Sequence, residues 1–224
     1  MRALAEIPGL RWVRLSSLLP AYFTPELVEV ATASPVVAPH FHIPLQSGSD
    51  RVLKAMRRPY NTRMYRALIE RLAAARPRLG LGADLIAGFP GETDTDFAET
   101  IAFVRELPFS YLHVFPYSAR AGTEAATRAG HLGSRTITHR SRVLRDIGRE
   151  KSDGFRRGLI GHVEEALVLE TVDRATGGLV GLTGNFVEAV FSGPPRLAGT
   201  ITRIRVTGVE PDRTLGELAE PEDR

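Results

Sequence analysis

The segment DLIAGFPGETDTDF, residues 84–97, joins a mainly apolar run to a turn and to the start of a helix. Residues 80–88 are apolar apart from Asp84, which is typical of a parallel strand that is covered on both faces. Pro90 and Gly91 predict a type II turn, because glycine suits the position that needs a positive φ. Thr93 and Asp96 have capping-box spacing. The segment therefore predicts a strand–loop–helix unit, which is the repeating element of α/β folds.

The same order of strand and helix extends over the first half of the chain. Predicted strands cover residues 11–17, 40–46, 80–88 and 110–117, and predicted helices begin at Thr24, Ser49, Thr62 and Thr93. Four consecutive units predict a parallel sheet with right-handed crossovers. They form either an open doubly wound sheet or about half of an eight-stranded barrel. In both folds the loops that follow the strands gather at one edge, where ligands bind.

The character of the sequence changes after a long basic helix that ends near residue 160. Short β-rich segments then alternate with Gly, Asn and Pro turns, which predicts a small antiparallel barrel of about five strands. The predicted organisation is an α/β unit over residues 1–134, a basic linking helix over 135–159 and an all-β barrel over 160–220.

Composition limits the class of protein. The chain has 224 residues, of which 43% are hydrophobic and 25% are charged, as in ordinary globular proteins. It contains no apolar run of membrane-spanning length and no signal-peptide pattern, so we expect a cytoplasmic protein that does not enter a membrane. Since cysteine is absent, disulfides, a thiolate nucleophile and cysteine-ligated metals are excluded for this chain.

The charge is unevenly distributed. Residues 1–159 carry 23 Lys and Arg against 15 Asp and Glu, a net charge of +8, whereas residues 160–224 carry 6 against 11, a net charge of −5. Basic residues concentrate in 54–78 and 135–157. This pattern indicates either a surface for a polyanion such as RNA or solvated, arginine-rich helix faces.

Two loops contain candidate ligand-binding residues. In QSGSD, Gln46 and Ser47 end a predicted strand, while Ser49 is expected to cap the following helix. The loop GFPGETD is equally consistent with a ligand wall and with a plain turn. The three acids of the longer segment GFPGETDTDF (88–97) argue against phosphate, because they occupy a helix N-terminus that would otherwise bind an anion. An adenine or ribose that packs on Ile86 and Phe89 suits it better.

The histidines and carboxylates of the strands do not predict a metal site. His40, His42 and His113 have no Asp or Glu at ligand spacing in the sequence, so we expect structural histidines. Asp84 and Glu92 are too loosely placed in the sequence to predict an acid–base pair. In the barrel, Asn185 and Phe186 are expected to serve a turn and the core rather than to contact RNA.

Three segments together resemble a known family: HFHIPLQSGSDRVLKAMRRPYN (40–61), DLIAGFPGETDTDFAETIAFV (84–104) and HVFPYSARAGTEAA (113–126). Their order and spacing are similar to those of the radical S-adenosylmethionine methylthiotransferases that modify tRNA. The segment HVFPYS is most similar to the branch that acts on threonylcarbamoyladenosine at position 37 of tRNA. The isopentenyladenosine branch and the ribosomal protein S12 branch are the alternatives, as is a non-catalytic RNA-binding remnant.

The resemblance implies a partial parallel barrel of radical-SAM type, truncated at its N-terminus and followed by a TRAM-like β-barrel that binds tRNA. It implies reductive cleavage of S-adenosylmethionine, hydrogen abstraction from C2 of adenine, and then insertion of sulfur and methyl. Carried onto this sequence, the cofactor-binding residues are Gln46, Ser47, Gly48, Ile86, Gly88 and Glu92. The RNA-binding residues that we predict from the resemblance and from the basic segments are Arg120, Arg140, Arg145, Arg149, Arg203 and Arg205.

The same resemblance implies a [4Fe–4S] cluster, which the family holds with three cysteines that this chain lacks. The chain is therefore expected to correspond to the C-terminal part of such an enzyme, as a fragment, a split gene product or the result of a start-site error. A separate chain that carries the N-terminal part is the partner that this expectation implies.

Overall fold

The structure, a computed structural model, describes residues 2–220 except the side chains of residues 2 and 5. Its helices are α1 Arg2–Ala5, α2 Pro25–Ala33, α3 Asp50–Ala55, α4 Thr62–Ala75, α5 Asp94–Glu106, α6 Glu124–Thr127 and α7 Ser134–Arg157. Its strands are β1 Val13–Ser16, β2 Val37–His42, β3 Gly80–Ala87, β4 Tyr111–Pro116, β5 Val163–Val172, β6 Leu179–Thr183, β7 Glu188–Phe191, β8 Ile201–Glu210 and β9 Arg213–Leu218.

The first four strands form one parallel sheet in the order β1-β2-β3-β4, which confirms the predicted α/β unit. The second strand ends earlier than predicted, at His42 rather than at residue 46. Pro44 has no N–H group to donate to a neighbouring strand, so regular pairing stops before it. Gln46 returns to the sheet through a single bridge to Leu85.

The two faces of this sheet differ. One face packs on helices: Leu81, Leu85 and Ala87 of β3 are buried in the same hydrophobic cluster as Tyr65 and Ile69 of α4. The opposite face, which we call the inner face, is formed by His40, His42, Gly80, Gly82, Asp84, Ile86, Tyr111, His113 and Phe115. The apolar sequence predicted that β3 is buried on both faces. This prediction is wrong for the second half of the strand, since Asp84 and Ile86 are only partly buried.

Helix α7 joins the two units and also completes the core of the first. Its Leu144 and Ile147 are each 1% exposed and belong to the hydrophobic cluster of the parallel sheet. Gly148 lies so close to Leu112 of β4 that an added Cβ would be 3.2 Å from the leucine Cβ. The predicted linking helix is thus packed along β4.

Two of the four predicted helix starts follow the sequence and two depart from it. Thr24 caps α2 as predicted, since its hydroxyl accepts from the amide of Leu27 at 3.2 Å. Thr93 and Asp96 form the predicted capping box, and Gly91 has the predicted positive φ of 82°. Thr62 is the first residue of α4, but Asn61 caps it by accepting from the amide of Met64 at 2.8 Å. Ser49 stands at the cap position of α3, but its side chain makes no cap hydrogen bond and its hydroxyl donates to Asp96.

The C-terminal strands form a closed barrel in the order β5-β6-β7-β9-β8. The predicted count of about five strands is confirmed. The predicted antiparallel arrangement is wrong for one pair, since β7 and β9 are parallel. A closed ring of five strands cannot alternate in direction all the way round. The other four pairs are antiparallel, so β7 and β9 must be parallel.

The β6–β7 turn packs against the inner face of the sheet. The ring of Phe186 stacks on His40 with 4.5 Å between the ring centroids. The guanidinium of Arg14 lies over the Phe186 ring, 4.9 Å from its centroid. Arg14 also donates to the carbonyl of Gly184 at 3.0 Å. Asn185 is 1% exposed, which agrees with its predicted core role, whereas Phe186 is 40% exposed, so the predicted core role is wrong for that residue.

Candidate functional site

The QSGSD loop docks on α5 rather than on the inner face. The Ser47 hydroxyl lies 3.3 Å from the Thr100 hydroxyl and accepts from the amide of Ser49 at 3.2 Å. Gly48 donates its N–H to Thr100 at 3.1 Å, and a Cβ at this position would lie 2.7 Å from the Thr100 Cα. These contacts give Ser47 and Gly48 a packing role, and their role in cofactor binding stays a prediction.

Asp96 connects the two loops through a buried carboxylate that is 4% exposed. It accepts from the Ser49 hydroxyl at 2.8 Å, from Arg51 Nε at 3.0 Å and from the Thr93 amide at 2.7 Å. The hydrogen bond from Arg51, followed by those from Thr93 and Ser49, holds the pKa of Asp96 well below its usual range. The carboxylate thus fixes both loops at the carboxyl edge of the sheet.

We expect Asp96→Asn to lower the free energy of unfolding at neutral pH by about 2 kcal/mol, because it weakens several charge-assisted hydrogen bonds. The folded-state pKa lies below the unfolded value of about 3.9, so Asp96 stabilises the fold above that pH. This contribution is lost as the pH falls through the folded-state pKa. Urea unfolding between about pH 2 and pH 7 should therefore show that the free energy of unfolding falls less on acidification in the variant than in the unchanged chain. Glu99→Gln, at an exposed position of α5, is the control. If Asp96→Asn lost as much stability on acidification as the unchanged chain, the stabilising role of the Asp96 carboxylate would be contradicted.

Gln46 is held in an unusual backbone conformation. Its φ is 71°, a left-handed value that is uncommon for residues other than glycine. Its amide donates to the carbonyl of Asp84 at 2.7 Å, and its carbonyl accepts from Ile86 at 3.0 Å. Such strain persists where the surroundings enforce it, often at functional sites. Gln46 therefore keeps its place among the predicted cofactor-binding residues.

Gly88 and Glu92 form a buried group with α7. The Glu92 carboxylate accepts from the Gly88 amide at 2.9 Å and from Arg140 at 2.5 Å. The side chains of Glu92 and Arg140 are 2% and 4% exposed. Burial raises the pKa of Glu92, and Arg140 opposes that shift. Gly88 has a φ of 82°, and an added Cβ would be 2.6 Å from Ile137, so this glycine is needed for the approach of α7.

The predicted RNA-binding residues occupy different environments. Arg140 is inside the protein, where it also pairs with Asp94 at 2.6 Å, so its prediction as a phosphate contact is wrong. Helical periodicity explains the error, because position 140 shares the buried side of α7 with Leu144. The other arginines lie nearer the surface: Arg120, Arg145, Arg149 and Arg205 are exposed, and Arg203 is partly buried.

A cavity of about 220 Å³ opens at the carboxyl edge of the sheet beside β3. Ile86, Phe89 and Met56 give it apolar walls, and Arg58 and Arg128 also line it. The buried Nε of Arg58 has no hydrogen-bond partner among the described residues. The apolar walls suit an adenine, and the rest of the lining is charged, with Arg57, Arg58 and Arg128 facing Glu124, so this cavity fits the adenine part of S-adenosylmethionine. Of its lining residues, the sequence predicted Ile86 as a cofactor contact and Phe89 as an apolar wall.

The inner face brings together a group that the sequence did not predict. His42 Nε2 lies 2.9 Å from Asp84 Oδ1, and His113 Nδ1 lies 3.4 Å from the same oxygen. The Tyr111 hydroxyl lies 3.0 Å from His42 Nδ1 and 2.8 Å from His40 Nε2. Burial lowers the pKa of His40 to about 3. The prediction that these histidines have no carboxylate within ligand distance is wrong.

The cause of that error is strand register. Asp84 pairs directly with His113, and His42 pairs with Gly82, two residues before Asp84. Side chains two residues apart on a strand share a face, so these positions converge although they are far apart in sequence. The alternation of Leu81, Ala83 and Leu85 with Gly82 and Asp84 was the available signal.

Comparison with known proteins defines the class. A sequence profile described as the Radical SAM superfamily matches residues 2–104. The fold resembles coproporphyrinogen III oxidase (HemN) from Escherichia coli, a radical SAM enzyme, with a TM-score of 0.53, 13% identity and coverage of 79% of this chain and 46% of that one. Residues 2–104 thus form a domain of the radical SAM superfamily.

The curated proteins that the chain resembles have names that describe a narrower class of enzyme. The chain is 34% identical over 95% of its length to the tRNA-2-methylthio-N(6)-dimethylallyladenosine synthase of Chromobacterium violaceum, and 38% identical over 97% to that of Mycobacterium ulcerans. It spans 48% and 42% of those two proteins, which is less than half of each. Within residues 2–220, no helix combines the length and the apolar character needed to cross a membrane.

Proposed function

We propose that this chain is the part of a tRNA methylthiotransferase that binds tRNA and S-adenosylmethionine, and that the complete enzyme methylthiolates C2 of an N6-modified adenosine at position 37. The observation that carries this proposal is similarity along nearly the whole chain to proteins named as such synthases. The parallel sheet and the loops at its carboxyl edge support it. A cytoplasmic location is part of this proposal, because such an enzyme acts where tRNA is processed.

The favoured substrate carries an N6-dimethylallyl group, since the relatives from Chromobacterium, Mycobacterium and Nitrosospira are named for it. The threonylcarbamoyl substrate that HVFPYS (113–118) predicted is the second candidate. Both place an adenine at the reacting position and differ in the N6 substituent, so one product assay distinguishes them.

The two cofactors fit this chain differently. The cavity beside Ile86, with Phe89 and Arg58, would hold S-adenosylmethionine, which supplies the methyl group and the hydrogen-abstracting chemistry when bound. A [4Fe–4S] cluster does not fit, because the chain has no cysteine. Its ligands must then come from another polypeptide or from chain outside this sequence, and no reaction step through the cluster is derived from these residues.

The tRNA-binding surface is proposed to include α7 and the barrel. Arg145 and Arg149 are exposed and one helical turn apart, and Arg205 lies on β8, a strand that contacts α7. Arg203 on the same strand and Arg120, in the loop after β4, extend the set. Guanidinium groups bind phosphates and release counterions, so binding should weaken as salt rises. The five-stranded barrel is proposed to be a TRAM-like RNA-binding domain.

The test is product formation in cells that lack 2-methylthio modification of tRNA. The chain is expressed alone and together with the part of the Chromobacterium relative that it does not match, and tRNA nucleosides are measured by liquid chromatography and mass spectrometry. We expect 2-methylthio-N6-dimethylallyladenosine only on co-expression, because neither half holds all the required groups. The relative's half alone is the control.

A threonylcarbamoyl product would select the second candidate. Absence of both products, together with salt-dependent binding of an anticodon stem–loop by the chain alone, would favour the non-catalytic RNA-binding remnant over the enzyme. Arg145→Glu with Arg149→Glu should reduce that binding, whereas the exposed Arg174→Glu should not. Equal binding by all variants would contradict the proposed surface.

A further inference from the structure

We propose that His42, Asp84 and His113 bind a divalent first-row transition metal ion on the inner face of the sheet. This site would be separate from any iron–sulfur cluster and uses no residue of the cavity beside Ile86. The three side chains come from adjacent strands β2, β3 and β4. Their positions are therefore set by the register of the sheet rather than by a loop.

The distances between the donor atoms match those around one ion. Nitrogen and oxygen ligands lie about 2.0–2.2 Å from zinc, which places neighbouring ligands about 3.0–3.6 Å apart. Asp84 Oδ1 is 2.9 Å from His42 Nε2 and 3.4 Å from His113 Nδ1, and all three donor atoms lie within 4.8 Å of one another. One ion can therefore contact all three with small side-chain adjustments.

The group behind His42 also suits metal binding. Metal-bound imidazoles usually donate their second N–H to a polar partner, which fixes the ring orientation. Here the Tyr111 hydroxyl lies 3.0 Å from His42 Nδ1 and can in turn donate to His40 Nε2 at 2.8 Å. Tyr111 occupies the space above Gly82, where an added Cβ would lie 2.1 Å from its ring. The glycine is thus required for the tyrosine to reach both histidines.

The donor set indicates the kind of ion. Two imidazoles and one carboxylate suit zinc, cobalt, iron(II) or manganese, whereas calcium and magnesium prefer oxygen ligands. Three protein ligands leave at least one coordination position open, as in catalytic rather than structural zinc sites. The His113 side chain is 53% exposed, so the open position faces solvent and can take water or a small ligand.

The test is titration of the purified chain with Co²⁺, whose visible absorption reports coordination, followed by competition with Zn²⁺. We expect one equivalent of Co²⁺ to bind and Zn²⁺ to displace it. His113→Ala and Asp84→Asn should each weaken binding by about 100-fold or more, since each removes a ligand. Tyr111→Phe should weaken it by about 10- to 100-fold, as the loss of an outer-shell partner does. His162→Ala, at an exposed histidine of the barrel unit, should bind like the unchanged chain.

Circular dichroism checks that each variant is folded. If Asp84→Asn does not fold, His113→Ala still tests the proposal, because the half-exposed His113 side chain can be removed with little effect on the core. Absence of Co²⁺ and Zn²⁺ binding to the unchanged chain would overturn the proposal. So would binding that His113→Ala leaves intact, because the ion would then lie elsewhere. Neither titration uses tRNA or S-adenosylmethionine, so the outcome is independent of the proposed function.

Discussion

Replacing Arg140 with methionine should lower the free energy of unfolding by about 3–5 kcal/mol, because it leaves the buried Glu92 carboxylate without its cation. The two side chains are 4% and 2% exposed, so water cannot take the place of the guanidinium. The guanidinium also lies 5.1 Å from the centroid of the Phe97 ring, and that contact is lost as well. Chemical unfolding at neutral pH measures the change.

Two further variants separate the ion pair from a general effect of arginine loss. Arg142→Met removes an exposed arginine from the same helix and should change stability by less than about 0.5 kcal/mol. Combining Arg140→Met with Glu92→Gln should recover much of the loss, because glutamine carries no charge and still accepts from Gly88. Additive losses in the double variant would contradict the assignment.

The pH dependence of the Arg140→Met variant follows from the same pair. Burial raises the pKa of Glu92 in the folded state, and removing Arg140 takes away a group that lowers it. A carboxyl whose folded pKa is raised favours the folded state at low pH and loses that advantage as the pH rises. The free energy of unfolding that Arg140→Met loses relative to the unchanged chain should therefore be smaller at about pH 5 than at about pH 7.5. A deficit that does not depend on pH would argue against a charged Glu92.

The parallel sheet could be predicted because its signals are local. The capping box at Thr93 and the turn glycine at Gly91 each depend on residues within a few positions. The alternation of such units then determines a parallel sheet with its loops at one edge. What the sequence left open was the partner of each loop residue. Gly88 was predicted to admit a ligand, but the neighbour that requires it is Ile137, some fifty positions away.

The same dependence on partners that are distant in sequence explains why the environments of the site residues were not predicted. Glu92 and Arg140 are both charged and would ordinarily be solvated, and only tertiary packing brings them together in the interior. His42, Asp84 and His113 each resemble an ordinary strand residue, and the register of three strands makes them one group. Predicted positions at strand ends were therefore more reliable than predicted roles. The predicted loops anchor helices, and the proposed cofactor and metal sites lie in the cavity beside Ile86 and on the inner face.

Gly80→Ala should separate the barrel turn from the sheet and lower the free energy of unfolding by about 2–3 kcal/mol, as overpacking does. An added Cβ at Gly80 would lie 2.2 Å from the carbonyl oxygen of Asn185 and 3.0 Å from its carbonyl carbon. Both atoms are backbone atoms, so no side-chain rotation relieves the contact. The turn must move, and the stack of Phe186 on His40 moves with it.

The single tryptophan of the chain, Trp12, reports this movement directly, because its ring lies beside Gly184 in the same turn. We expect the emission of folded Gly80→Ala to shift to longer wavelength, since displacement of the turn admits water to the indole. Gly154→Ala is the control: this exposed glycine inside α7 has open space around it, so alanine should stabilise the helix by about 0.5–1 kcal/mol and leave the emission unchanged. An unshifted spectrum and full stability in Gly80→Ala would mean that the turn does not rest on β3. The barrel would then be held to the α/β unit by α7 and by the ion pairs Arg11–Glu165 and Arg78–Glu164.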